Sequence, residues 1–229
     1  MFERPYRFEN RREAGILLAK RLAGFAPSHP LILALPRGGV PVAFEVAKAL
    51  GAPLDLLIVR KIGAPGHEEY GIGAIVDGAN PQLVLNQDIV RQLGVSPEYI
   101  SSEAQRQLDE IERRRKAYCG DRVPIEIASR VVIVVDDGIA TGGTMKAALR
   151  GTRKNAPARL ILAVPVAPPS TIHELQAECD EVICLSMPEP FGAVGAFYRD
   201  FSQTGDNDVI TLLDEARSFG LNPVRSAFS

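Results

Sequence analysis

The sequence contains few cysteines, and their spacing argues against two kinds of crosslink. Only three occur among the 229 residues, at Cys119, Cys179 and Cys184, and no two of them form a C-x-x-C pair. An odd number at this spacing favours neither a disulfide framework nor a zinc site. Free thiols are typical of a reducing compartment, so we expect the protein to be cytoplasmic.

Long apolar runs and an excess of one charge are absent as well. No apolar stretch reaches the roughly 18 to 20 residues of a membrane span. The basic residues Arg4 and Arg7 are not followed by an apolar h-region, so no secretory signal is expected. A formal net charge of −2 argues against a broad nucleic-acid-binding surface. We therefore expect neither a membrane nor nucleic acid as a partner.

Two common nucleotide-binding motifs are also missing. The P-loop pattern G-x-x-x-x-G-K-[ST] does not occur. The G-x-G at Gly71 and Gly73 lacks the third glycine of a dinucleotide-binding turn. Any phosphate site must therefore be built from other loops.

The apolar segments that are present predict an α/β fold, with a Rossmann-like parallel sheet flanked by helices. Residues 10–23 have helical spacing, and a strand at 31–35, a helix at 41–50 and a strand at 54–59 form a β-α-β unit. With 46% hydrophobic residues, a single domain over residues 1–229 is expected. Further elements are predicted at residues 71–76, 82–85, 145–154, 160–165, 170–177, 181–185 and 208–218.

Residues 86–120 interrupt this alternation with a polar helical pattern, which predicts an inserted helical hairpin. The break precedes Ser96, which is suited to cap the second helix, and Pro97, which is suited to its first position. The second helix ends in Arg-Arg-Arg-Lys at residues 113–116. These charges form either a solvated face beside the acids of the same helix or a surface for a partner.

The most specific segment is Val-Val-Ile-Val-Val-Asp-Asp-Gly-Ile-Ala-Thr-Gly-Gly-Thr, residues 131–144. Five β-branched residues predict a strand buried on both faces, and ligands bind at the carboxyl ends of such strands. Asp136 and Asp137 would therefore face a ligand and accept hydrogen bonds from a diol. An ordinary Asp-Gly turn is the alternative, although it requires neither the second acid nor the Thr-Gly-Gly-Thr tail.

The residues after these acids are suited to bind a phosphate. A helix is expected to start near Thr144, and free amide groups at a helix N-terminus attract anions. Glycines let the backbone approach a ligand closely, and threonines add hydroxyl donors. The pattern matches a ribose 5-phosphate, with the diol on the acids and the phosphate held by Gly138, Ile139, Ala140, Thr141, Gly142, Gly143 and Thr144.

This segment resembles the phosphoribosyl-pyrophosphate (PRPP) motif of the type I phosphoribosyltransferases, which is a hydrophobic strand, two acids and a Thr-Gly-Gly-Thr-like loop. The resemblance covers about residues 31–185 and implies that family's fold, with a small C-terminal hood at residues 186–205. It also implies a pyrophosphate loop at Pro-Arg-Gly-Gly, where Arg37, Gly38 and Gly39 would bind the leaving group. Taken alone, Pro-Arg-Gly-Gly would be a common turn.

Residues 60–71 resemble the family's mobile catalytic loop, with an exposed surface loop as the alternative. Arg60 and Lys61 would neutralise pyrophosphate, and closure of the loop would exclude water. The Glu-Tyr-Gly at its end is similar to that of adenine phosphoribosyltransferases, which makes Glu69 a catalytic candidate. Ala140 stands where hypoxanthine-type enzymes have an aspartate, so an adenine-like acceptor is favoured over a 6-oxopurine.

The resemblance implies Mg²⁺-dependent transfer of 5-phosphoribosyl from PRPP to a nitrogenous base, with release of pyrophosphate, as in nucleotide salvage. Asp136 and Asp137 would hold the ribose and bind the metal, partly through PRPP and water. In the hood, Phe191, Phe197 and Tyr198 either stack on the base or belong to the core. We expect the protein to be a homodimer.

Two other classes of function are compatible with the sequence. One is a regulatory protein that senses PRPP or a nucleotide without catalysing transfer, for which residues 113–116 are the one hint of nucleic acid. The other is a hydrolase or phosphorylase of a phosphorylated sugar, in which water or phosphate would be the acceptor.

Overall fold

The computed structural model describes residues 7–219, which form a larger and a smaller β-sheet surrounded by helices. The helices are α1 (Arg11–Leu22), α2 (Gly39–Leu50), α3 (Gln87–Leu93), α4 (Pro97–Cys119), α5 (Gly143–Lys154), α6 (Pro169–Leu175) and α7 (Asp206–Glu215). The strands are β1 (Leu31–Ala34), β2 (Leu54–Leu56), β3 (Val59–Ala64), β4 (His67–Val76), β5 (Gln82–Leu85), β6 (Val131–Val135), β7 (Arg159–Val166) and β8 (Glu181–Ser186).

The larger sheet is parallel throughout, with the strand order β2-β1-β6-β7-β8. Its inner strands are apolar because helices cover both of its faces. In β6, Ile133 and Val135 pack in one cluster with residues of α1, α2 and α7, whereas Val132 and Val134 pack in another with residues of α5 and α6. The predicted α/β fold with a Rossmann-like parallel sheet is confirmed.

The smaller sheet corrects the prediction of a loop at residues 60–71. β3 and β4 form an antiparallel hairpin around Pro65 and Gly66, with an irregular register at Gly63, and β5 pairs with the far side of β4. Ile62 and Ala64 are buried in the core and hold the hairpin down. The Pro-Gly step is a turn signal between two segments able to form strands. The elements predicted at residues 71–76 and 82–85 are strands of this sheet and pair with each other in an antiparallel manner.

The strand predicted at residues 54–59 is divided between the two sheets. β2 ends at Leu56, and Val59 already belongs to β3. Between them, Leu57 N donates to Ala34 O of the larger sheet, and Ile58 O accepts from Asp77 N at the end of β4. These two buried residues therefore connect the sheets.

Two helices occupy residues 86–120, as predicted. Asn86 Oδ1 accepts from Ile89 N, and Ser96 Oγ accepts from Tyr99 N, so each helix begins at a side-chain cap. Pro97 is in the first turn of α4, as expected. That this segment is an insertion stays a prediction. No helix within residues 7–219 is both long and apolar enough to cross a membrane.

The basic residues at the end of α4 have two different environments. Arg113 and Arg114 both pair with Glu110 on the helix surface, as expected for a solvated face. Arg115 does not belong to that face, because it is 8% exposed and points into the core. Arg115 therefore fits neither of the two predicted roles, a solvated face or a surface for a partner.

Arg115 neutralises two buried carboxylates, that of Asp55 in β2 and that of Asp77 directly after β4. Its guanidinium contacts Asp55 Oδ1 at 2.6 Å and Asp77 Oδ2 at 2.7 Å, and Asp55 Oδ2 also accepts from Ile125 N at 2.8 Å. Burial raises the pKa of Asp77, while Arg115 acts in the opposite direction. The trio ties α4 to β2 and to the end of β4, and so fixes α4 against both sheets.

We expect Arg115→Leu to lower the free energy of unfolding by about 3–5 kcal/mol, because it leaves two buried carboxylates without a counter-charge. Urea denaturation followed by circular dichroism measures this. Arg113→Leu on the same helix is the matched control and should leave the denaturation midpoint almost unchanged, since its ion pair is exposed. Equal midpoints for the two variants would contradict the structural role of Arg115.

Candidate functional site

The two aspartates of the 131–144 segment lie directly after β6, at the carboxyl edge of the parallel sheet. Both side chains are only partly exposed to solvent. Asp137 N donates to Asp136 Oδ1 at 2.8 Å, which fixes the first carboxylate over its own backbone. Because β1 is the neighbour of β6, the loop that follows β1 reaches the same edge.

Arg11 in α1 supplies the counter-charge for this pair of acids. Its Nε donates to Asp137 Oδ2 at 2.7 Å and a terminal nitrogen donates to Ser202 O at 2.7 Å. The guanidinium also lies 3.9 Å from the centre of the Phe201 ring. The side chains of Arg11 and Asp137 are 12% and 13% exposed, so salt screens this ion pair little.

The two carboxyl groups have different environments. Burial raises the pKa of Asp136 well above its ordinary value, and the negative charge of Asp137 raises it further. Burial also raises the pKa of Asp137, but the hydrogen bond and charge of Arg11 oppose that rise. Arg11 therefore favours the charged form of Asp137, whereas burial and the charge of Asp137 disfavour the charged form of Asp136.

The N-terminus of α5 lies beyond these acids and can bind an anion. The helix begins at Gly143, one residue before the predicted start near Thr144. Gly142 precedes it with φ 75°, a left-handed conformation that glycine adopts without strain. Since the first amide groups of a helix have no acceptor within it, those of Gly143 and Thr144 are suited to phosphate oxygens.

The segment between the acids and α5 is held in place by its neighbours. Ile139 is buried and its N–H donates to Val166 O at 2.9 Å, so this amide is already used within the protein. Thr171 Oγ1 donates to Ala140 O at 2.8 Å. Ala140 and Thr141 are exposed, which leaves their side of the loop open to a ligand.

The loop after β1 packs directly against the acids. A Cβ atom on Gly38 would overlap Asp137 Oδ2, and one on Gly39 would lie 2.9 Å from Asp136 Cα. The peptide bond between Pro36 and Arg37 is cis. The two loops that the sequence assigned to pyrophosphate and to ribose phosphate are therefore in contact.

Arg37 extends from this loop toward α7. Its terminal nitrogen lies 3.2 Å from Asp206 Oδ1, which also accepts from Tyr118 OH at 2.8 Å. The side chains of Arg37 and Asp206 are 39% and 63% exposed. An ion pair this exposed contributes little, so Arg37 can exchange Asp206 for an anionic ligand at small cost.

The β3–β4 hairpin, α4 and the N-terminus of α5 enclose a cavity of about 380 Å³. Lys61 and Glu69 of the hairpin and Thr144 of α5 all line it. The structure thus brings Thr144 to the same cavity as two hairpin candidates that are far from it in the sequence. Glu103 and Gln107 of α4 line the same cavity, although the sequence assigned them no role.

The hood segment divides the three aromatic candidates between the core and the surface. Phe197 and Tyr198 are 3% and 4% exposed and pack with Phe8, so both rings belong to the core. Tyr198 OH donates to Asp137 O, which ties the hood to the acids. Phe191 is half-buried, with its ring centre 4.9 Å from that of Phe197, and is the one of the three that a base could reach.

The acids fit Mg²⁺ only as partial ligands. Within residues 7–219 no group of three or more His, Cys, Asp or Glu side chains could hold a metal. Mg²⁺ is commonly bound by one or two carboxylates together with substrate phosphates and water. Asp136 and Asp137 fit that arrangement, with Asp137 already contacted by Arg11.

Sequence reasoning did not identify Arg11 as part of the site. The residue lies in the first turn of an ordinary amphipathic helix, 126 positions from Asp137, and no motif marks it. Glu103 and Gln107 were hidden in the same way, within a polar helix that has many charged residues. Their burial is the signal that separates them from their neighbours, and only the fold provides it.

The fold and the site together define an α/β protein with a candidate ligand site at the carboxyl edge of its parallel sheet. The model of the phosphoribosyl transferase domain matches residues 11–202. The chain therefore belongs to the type I phosphoribosyl transferase family, as the 131–144 segment indicated.

Individual relatives support the same assignment. Two proteins of Mycobacterium tuberculosis, one from strain CDC 1551 and one from strain H37Rv, are each named "putative phosphoribosyl transferase" and are 44% identical over 209 residues. The match covers 91% of this chain and 47% of theirs, so the chain spans about half the length of these curated relatives. The crystal structure of TT1426 from Thermus thermophilus is 44% identical, with a TM-score of 0.81 over 91% of this chain and 98% of that one.

We expect Gly38→Ala to destabilise the protein by about 1–3 kcal/mol, because the added methyl group must displace the Asp137 carboxylate. Gly24→Ala is the matched control, since a Cβ there meets nothing within 4 Å. This control should be neutral or stabilising by up to about 1 kcal/mol. Urea denaturation of both variants tests the close contact of the two loops, and equal midpoints would refute it.

Proposed function

We propose that this protein transfers the 5-phosphoribosyl group of PRPP to a nitrogenous base and releases pyrophosphate, in the manner of a nucleotide-salvage enzyme. The observation that carries the proposal is the contact of two loops, one with paired acids before a helix N-terminus and one with Arg37, Gly38 and Gly39. Membership of the phosphoribosyl transferase family supports it. The free cysteines support a cytoplasmic location, and we retain the proposal of a homodimer.

The ribose phosphate would bind across the 131–144 segment. Asp136 and Asp137 would accept hydrogen bonds from the 2- and 3-hydroxyls, and the exposed part of the loop with the start of α5 would hold the 5-phosphate. Positive charge develops on the ring as the bond at carbon 1 breaks, and the carboxylates favour that charge. Neither aspartate needs to act as a nucleophile.

The pyrophosphate would leave toward the cations of the other two loops. Arg37, Arg60 and Lys61 would bind its oxygens, with Gly38 and Gly39 providing a close approach of the backbone. Mg²⁺ held by Asp136 and Asp137 together with PRPP and water would supply further positive charge for the leaving group. The hairpin over the cavity would keep water from the activated sugar.

The acceptor we favour is adenine-like. Glu69 lines the cavity with Lys61 and is the candidate for handling the proton of the acceptor nitrogen. Ala140 offers no carboxylate to a 6-oxopurine, and its position in the loop is exposed. Phe191 remains available to stack on a base, whereas Phe197 and Tyr198 support the hood from within.

A regulatory protein that binds PRPP or a nucleotide without transfer is the second candidate. One observation favours it: Asp137, the expected ribose ligand, is already paired with Arg11. The basic tract of α4 argues against nucleic acid as its target, since Arg113 and Arg114 pair with Glu110 and Arg115 is buried. PRPP binding without release of pyrophosphate would identify this candidate.

We expect Asp137→Asn to lower turnover about 10² to 10³-fold, because a neutral amide no longer favours the developing charge. The assay mixes protein, PRPP and Mg²⁺ with a panel of purines, pyrimidines and other nitrogenous acceptors and measures pyrophosphate. The fold should persist, since the asparagine oxygen can still accept from Arg11. Asp109→Asn, on the exposed face of α4, is the control and should leave turnover unchanged. Undiminished turnover in Asp137→Asn would refute the assignment.

A further inference from the structure

We propose that Gln107 of α4 is a positioning residue that holds Arg60 toward the leaving pyrophosphate. Helix α4 would then contribute to binding by forming one side of the cavity between the β3–β4 hairpin and α5. This inference rests on the proposed phosphoribosyl transfer and gives a role to a helix that the sequence left without one. Its basis is a directed series of hydrogen bonds that begins on the surface of α4 and ends at the guanidinium of Arg60.

Three residues on one face of α4 form this series. Arg106 donates twice to the Glu103 carboxylate, at 2.8 and 2.9 Å, and this pairing lowers the pKa of Glu103. Gln107 Nε2 donates to Glu103 Oε1 at 2.7 Å. Because its nitrogen is engaged by Glu103, the amide oxygen of Gln107 must face away, and it accepts from Arg60 Nε at 2.9 Å. The orientation of each group thus follows from the one before it.

The contact with Gln107 uses only one of the five N–H groups of Arg60. A guanidinium has a single N–H on Nε and four on its terminal nitrogens. Within residues 7–219, no hydrogen bond or ion pair occupies those terminal nitrogens of Arg60. The side chain is therefore held by its inner edge while its outer edge stays free, and that edge is the one that binds phosphate oxygens in a bidentate manner.

The surroundings of Arg60 match this use. Arg60 and Lys61 line the same cavity as Thr144 of the anion-binding end of α5. Gln107 and Glu103 are 5% and 9% exposed, whereas Arg106, at the outer end of the series, and Gln105, which lies outside it, are exposed. Burying a polar amide is costly unless its hydrogen bonds are made, and an apolar side chain at 107 would serve packing alone. The presence of an amide at residue 107 is therefore explained by its hydrogen bond to Arg60, which orients the guanidinium.

The test is a double-mutant cycle with direct binding as its readout. Gln107→Met removes both hydrogen bonds at similar volume, and Arg60→Ala removes the group to be positioned. PRPP and inorganic pyrophosphate, each with Mg²⁺, are titrated calorimetrically into the wild-type protein, both single variants and the double variant. Steady-state turnover with an accepted base gives KM for PRPP and kcat. Gln105→Met, two residues away on the exposed face, is the matched control.

We expect Gln107→Met to weaken binding of both ligands and to raise KM for PRPP about tenfold, as for loss of a hydrogen bond to a charged group. The change in kcat should be smaller, and Gln105→Met should change nothing. In the Arg60→Ala background, Gln107→Met should have almost no further effect, because the two residues act as one unit. Glu103→Gln keeps the shape of the series and provides a second variant if Gln107→Met does not fold.

The outcomes separate this inference from the proposed function. Binding that weakens in Gln107→Met without any pyrophosphate release from the wild-type protein would refute transfer and keep the positioning role. Equal losses from Gln107→Met with and without Arg60 would refute positioning while transfer stands. The positioning role would also be overturned if Gln105→Met weakened binding of the ligands to the same degree. It would likewise be overturned if the wild-type protein bound neither PRPP nor pyrophosphate.

Discussion

The central constraint of this structure is the burial of two adjacent carboxylates at the end of a strand that has no polar side chain. Like charges this close repel each other, and burial makes each more costly. The guanidinium of Arg11 offsets this cost by its contact with Asp137. The Asp136 carboxylate accepts a hydrogen bond from the backbone N–H of Asp137. Helix α1, the hood and the loop after β1 all pack around these two acids.

The same solution occurs twice in the chain. Arg115 compensates Asp55 and Asp77 at the junction of the two sheets, and Arg11 compensates the acids at the carboxyl edge of the larger sheet. The difference lies in what the carboxylates can do. Asp55 and Asp77 are enclosed and fix α4 in place, whereas Asp136 and Asp137 remain partly exposed and can exchange their contacts for those of a ligand. One charge pattern thus provides a rigid frame, and the other leaves a partly exposed edge of the sheet.

Much of the fold was predictable from the sequence because its signals are local. A run of β-branched residues gives β6, and glycines with threonines give the loop before α5. The hairpin of β3 and β4 was not predicted, because glycine and proline are typical of loops as well as of the turn within a hairpin. Arg115 was misplaced because helix charge patterns do not say which member of a basic tract faces inward.

The site residues also divide into those with a local sequence signal and those that only the assembled fold reveals. Residues within loops of fixed spacing, such as Gly38 and Asp137, are recognisable since the chain itself brings them to a strand end. Arg11, Glu103 and Gln107 are recognisable only after the strands and helices have been assembled, because their role depends on which element packs beside them. Burial also separated Phe197 and Tyr198 from Phe191, a distinction that composition cannot make.

The hydrogen bonds of Arg11 also bear on the order in which the molecule is assembled. Its partners Asp137 and Ser202 lie 126 and 191 positions further along the chain, so these are among the contacts of greatest sequence separation. Contacts of this kind form late, after the intervening chain has been ordered. During synthesis from the N-terminus, Arg11 is complete long before either partner exists. Both hydrogen bonds of Arg11 at this edge of the sheet can therefore form only after the chain has been synthesised as far as Ser202.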